Sequence, residues 1–156
     1  MKIEIADNQN YYPIKKRKIR QIVIEVLKEE KQAQKLPPHS PPSQGGDKGG
    51  VGELSIAFVD NEKIVELNKK FLGHNEPTDV ISFPLEANGI SGEIVVSAQM
   101  ALETANAMHT DVEGELILYV IHGLLHLIGY DDTSKKKAQA MHKRENELLA
   151  KLANRE

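Results

Sequence analysis

The 156-residue chain contains no cysteine and no tryptophan. Without cysteine there is no disulfide, no thiolate nucleophile and no Cys-ligated zinc, so any metal must be held by His, Asp or Glu. The same absence fits a reducing compartment, and a cytoplasmic location is the expectation. Three Phe and four Tyr are too few for a platform that stacks several unpaired bases. A charge excess of useful sign is missing as well: 20 basic against 23 acidic residues leave −3, so no basic field announces a nucleic-acid partner and any RNA contact must be local. Long apolar runs are also lacking. The strongest, Leu116 to Ile128, is interrupted by His122 and His126 and falls short of the ~20 residues of a membrane span. The opening MKIEIADNQN has no apolar block of the secretory type. Neither a membrane nor DNA is expected as a partner.

What is present is enough apolar material, 40% of residues, for one compact domain over 1–156. Ile3 and Ile5 alternate with polar residues in a first strand, and Ile19, Ile22, Val23, Val26 and Leu27 follow at helical spacing. Residues 31–52 gather Pro37, Pro38, Pro41, Pro42 and five glycines with almost no apolar residue, which predicts a flexible insert. His39 inside it is discounted as a ligand, because ordering such a segment costs too much entropy. LSIAFV (54–59), VISF (80–83) and EIVVS (93–97) have strand composition. Asp60 or Asn61 can cap a helix with the apolar face Ile64, Leu67 and Phe71. Three helices are expected after the strands: Ala98 to Met108, Asp111 to Ile128, and Lys135 to Leu152, the last with the stripe Ala138, Met141, Leu148, Leu149 and Leu152. The fold class is α+β, a four-stranded mixed sheet with about five helices and an active-site helix of zinc-hydrolase type.

That helix carries HGLLHLIGYDD, from His122 to Asp132. His122 and His126 lie four apart on one helical face, Gly129 can end the helix, and Asp132 can return as a third ligand. Two His and one Asp leave a fourth position for water, the arrangement of a catalytic zinc site. Two satisfied core histidines are the alternative. The spacing resembles the metzincin peptidase motif HExxHxxGxxH, but Gly123 stands where those peptidases carry their general-base Glu. Peptide hydrolysis loses its usual base. Asp131 can orient a ligand His or serve as a base, while His74, His109 and His142 read as loop, helix-end and last-helix residues.

HGLLHLIGYD closely resembles the signature of the YbeY family of endoribonucleases, and PTDVISFP at Pro77 to Pro84 and GEIVVS at Gly92 to Ser97 resemble its upstream blocks. The resemblance implies one zinc ion, cleavage of single-stranded RNA, and roles in small-subunit ribosomal RNA 3′-end maturation and ribosome quality control, with ribosomal RNA and the small subunit as partners. It carries His122 and His126 over directly as metal ligands, and it makes Thr78, Asp79 and Ser82 candidates for lining a substrate groove. Two departures stand out. The family's third ligand is usually His, where this chain has Asp132, and Leu72 occupies a position where many members have Arg. The carboxylate lowers the site's net charge from +2 to about +1, which weakens water activation and phosphate attraction. An assembly factor with a structural metal and little nuclease activity is the rival reading, and a metallopeptidase the second.

Overall fold

A computed structural model describes residues 2–33, 52–84 and 91–152. In chain order they form β1 (Lys2–Asp7), α1 (Lys16–Ala33), β2 (Glu53–Val59), α2 (Asn61–Leu72), β3 (Val80–Pro84), β4 (Gly92–Ser97), α3 (Ala98–Met108), α4 (Val112–Ile128) and α5 (Lys135–Leu152). The expected α+β class, with a four-stranded mixed sheet and five helices, holds among these residues. Of the segment 31–52 expected to be a flexible insert, residues 31–33 belong to α1, which runs through Ala33. At its other end the Gly52 carbonyl already accepts from the Lys2 amide at 3.0 Å. Positions 34–51, His39 included, lie outside the described residues.

The sheet order is β1-β2-β4-β3, with β1, β2 and β4 parallel and β3 antiparallel at the edge beside β4. Period-two alternation divides the strands between two faces. Leu54, Ile56 and Phe58 of β2 and Ile94 and Val96 of β4 join α1, α3, α4 and α5 in the main core. Val59, Ile81 and Val95 point the other way and pack with Ile64 of α2. Because both faces are covered, the central strands read as nearly continuous apolar runs. Phe71, expected on the buried face of α2, is 54% exposed. It lies over the edge strand, where it meets the Phe83 ring, edge-on with centroids 5.3 Å apart.

Side-chain caps fix where the helices start. Asp60, Ser97 and Asp111 accept from the amides of Lys63, Met100 and Gly114 at 2.9, 3.0 and 2.7 Å. Each satisfies a donor that the first helical turn leaves unpaired. His109 ends α3 in the left-handed region, at φ 58°. The central element is α4, where Leu116, Ile117, Val120, Ile121, Leu124 and Leu125 are all at most 2% exposed. Each such burial stabilises the fold by roughly 1.5–3 kcal/mol relative to exposure. No helix among the described residues is long and apolar enough to cross a membrane.

Candidate metal centre

The site grows from the way α4 crosses the sheet. A Cβ built on Gly123 would lie 2.8 Å from Ile94 Cγ2 and 3.2 Å from Val80 Cγ2, so the helix backbone sits directly on β3 and β4. Ser82 Oγ donates to the Gly123 carbonyl at 3.0 Å and pins strand to helix. Ser82 therefore serves the seating of α4 and is not among the residues lining the groove described below. With Gly123 against the sheet, His122 and His126 emerge beside it on the half-buried face, their rings edge-on with centroids 4.7 Å apart.

The helix stops at Gly129, whose φ of 125° favours glycine. The Gly129 amide bonds to the Leu125 and His126 carbonyls, both at 3.1 Å, and the Tyr130 amide to Leu125 at 2.9 Å. The chain then turns back under two anchors. Tyr130 donates its hydroxyl to Glu30 Oε1 at 3.0 Å, and the buried Glu30 carboxylate also receives Arg144 Nε from α5. Burial first, then the Glu30 charge, push the Tyr130 phenol up to about 12. Asp131 Oδ1 accepts from the Thr133 amide at 3.0 Å and its hydroxyl at 2.8 Å. Thr133 thus holds the Asp131 carboxyl below the usual carboxylate range. Directly after these two anchored residues comes Asp132, and one ligand atom each from His122, His126 and Asp132 lie within 4.8 Å of one another.

The residue that orients a ligand is not Asp131 but Glu145 of α5. Its carboxylate pairs with His122 Nδ1 and is 4% exposed. With Nδ1 engaged, the free ring nitrogen of His122 is Nε2. Burial pulls the His122 pKa down, but the Glu145 hydrogen bond and charge, followed by the charges of Asp79 and Asp132, outweigh it and leave it raised. Glu145 was missed in sequence, although a signal exists. The stripe Met141, Glu145, Leu148, Leu152 carries one acid among apolar residues, and all four are buried.

Next to His122 opens a groove of about 530 Å³, lined among others by Thr78, Asp79, Tyr119, His122, His142 and Glu145. Thr78 and Asp79 thus share a groove with His122. Asp79 Oδ1 accepts from the Val80 amide at 2.8 Å and the Thr78 hydroxyl at 3.2 Å, which fixes the turn into β3. Burial pushes the Tyr119 phenol up to about 12, so it stays a neutral hydrogen-bonding group. With Asp79, Glu115 and Glu145 the wall is acidic, a field that draws a cation. His74 and Leu72 lie exposed, away from this wall. Two imidazoles and one carboxylate, with a further carboxylate on one ring and a groove beside it, form a donor set suited to a zinc-like divalent cation.

The family model described as Endoribonuclease YbeY matches residues 4–153. The chain belongs to the YbeY family. An Endoribonuclease YbeY of Rhodopirellula baltica is 42% identical over 106 residues, covering 65% of this chain and 53% of that protein. One of Halalkalibacterium halodurans is 38% identical over 114 residues, with 64% and 72% covered. A YbeY of Parabacteroides distasonis is 39% identical over 101 residues, with 64% and 71% covered. The solution structure of a Thermotoga maritima protein superposes with a TM-score of 0.57 at 28% identity, covering 96% of this chain and 88% of that one.

Proposed function

We propose that this YbeY-family chain is a metal-dependent endoribonuclease that cleaves single-stranded RNA, with small-subunit ribosomal RNA in the cytoplasm as its cellular substrate. The observation that carries the reading is the convergence of His122, His126 and Asp132, of which His122 lines an open acidic groove. His122, His126 and Asp132 would hold a zinc ion, which would supply Lewis-acid activation of a water and of a phosphoryl oxygen. Glu145 holds the His122 ring in place and keeps its Nδ1 engaged. Asp132 supplies the site's carboxylate from a turn tied down by Glu30 and Thr133. Thr78, Asp79 and Tyr119 offer hydroxyl and carboxylate groups to a strand lying in the groove.

Gly123 weighs against a peptidase. The position of the missing Glu faces β3 and β4 at less than side-chain distance, so no acid at 123 reaches the groove. The acidic wall and the exposed Leu72 in place of a cation favour the rival reading, an assembly factor with weak nuclease activity. Incubation of the zinc-loaded protein with a labelled single-stranded RNA separates the two. Internal cleavage that stops with a chelator, and in a folded His126→Ala variant, is expected. An RNA left intact by the loaded wild type contradicts the nuclease reading. A 2′,3′-cyclic phosphate at the new end identifies the RNA 2′-OH as the attacking group, and a 5′-phosphate with a 3′-hydroxyl identifies water.

A further inference from the structure

A second groove, about 670 Å³ and open to solvent, runs along the outer face of α5 and is lined by Lys135, Ala138, Gln139, His142, Lys143 and Asn146. His142, exposed at the rim, lines this groove and the metal-site groove alike, so the two adjoin there. Their charges are opposite. The metal-site groove is walled by carboxylates, whereas residues 135–144, KKKAQAMHKR, hold five cations and no acid. Lys137 is drawn to Asp131 at 3.7 Å, and Arg144 serves Glu30 and Glu147. Lys135 and Lys143 have no carboxylate partner among the described residues.

Lysines in the first turn of α5 also run against local electrostatics. The helix dipole places positive charge at that end, and the turn contains no acid. An anion laid along the groove relieves this repulsion. The comparable basic start of α1 differs, since Glu113 meets Lys15 at 3.6 Å and Lys18 at 3.2 Å.

Resting on the endoribonuclease reading, we infer that the outer face of α5 is the docking track for single-stranded RNA, with phosphates at Lys135 and Lys143 and the strand crossing His142 into the metal-site groove. Lys135 and Lys143 are eight residues apart, about 12 Å along the helix, so they engage separate phosphates. This gives a chain with net charge −3 a local purchase on RNA.

The test measures binding of a fluorescein-labelled single-stranded RNA to the full chain by anisotropy, across a salt series, with a chelator present to stop cleavage. Removing two phosphate contacts in the Lys135→Gln/Lys143→Gln variant lowers the salt slope by about 1.4, on the order of 25-fold in affinity at 0.1 M salt. In zinc-loaded protein the same variant raises KM for a long RNA and keeps kcat. Lys15→Gln/Arg17→Gln, the same charge change at the start of α1, serves as control and leaves affinity within about twofold. Unchanged affinity in the α5 variant, or equal losses in both variants, overturns the docking track while wild-type cleavage leaves the nuclease reading standing. Wild-type protein that neither binds nor cleaves RNA overturns both.

Discussion

Glu145→Gln isolates the role of the carboxylate behind His122. The substitution keeps the shape and one hydrogen-bond acceptor but deletes the charge from a side chain only 4% exposed. In such a dry position the anion strengthens the Nδ1 hydrogen bond and makes the opposite ring nitrogen a better donor to a cation. Losing a partner of this kind typically costs roughly 10- to 100-fold in metal affinity, about 1.4–2.7 kcal/mol. The fold should lose less, because glutamine still accepts from the ring. Competition between the protein and a chromophoric chelator for zinc, at pH 7.5 and fixed ionic strength, gives the dissociation constant directly. A cobalt-substituted sample gives the ligand-field spectrum, which moves only if the His122 geometry moves. If Glu145→Gln binds zinc as tightly as wild type with an unchanged cobalt spectrum, Glu145 has no part in positioning His122.

Three further expectations follow from the same geometry. Gly123→Ala places a methyl group 2.8 Å from Ile94 Cγ2 and 3.1 Å from Ser82 Oγ; overpacking of roughly 1–3 kcal/mol outweighs a helix-propensity gain of up to about 1 kcal/mol, and a urea midpoint at or above wild type refutes the close approach. In metal-free protein the raised His122 pKa stabilises the fold fully below the unfolded value of 6.5 and the contribution disappears as pH rises through the folded value; Tm should fall over that window in wild type and stay flatter in Glu145→Gln, and parallel profiles contradict it. Tyr130→Phe leaves one oxygen of buried Glu30 without its donor at 3.0 Å, a loss of roughly 1–3 kcal/mol by urea unfolding at constant m; a change under about 0.3 kcal/mol contradicts the anchoring of the turn.

Local pattern was enough to place α3 and α5 and to come within one residue of α4, because their caps and apolar stripes lie within each segment. The His122, His126 and Asp132 cluster was legible for the same reason: one helical turn and one glycine stop define it. What escaped depends on elements far apart in sequence. Glu145 meets His122 only because α5 packs along α4, and Ser82 meets Gly123 only because β3 lies beneath that helix. Phe71 fits an apolar stripe on paper, but the sheet ends at β3 and no further strand among the described residues covers it. The local partner of Asp131 is Thr133, two residues away, whose hydroxyl and amide both donate to its Oδ1.

The central claim is that Asp132 completes a metal site with the two histidines. Zinc content measured by mass spectrometry on purified wild type, His122→Ala, His126→Ala and Asp132→Ala, each confirmed folded by circular dichroism, tests it most directly. One ion per wild-type chain and loss of the ion in all three variants is the predicted result. Wild-type zinc retained at full stoichiometry and unchanged affinity in Asp132→Ala contradicts it.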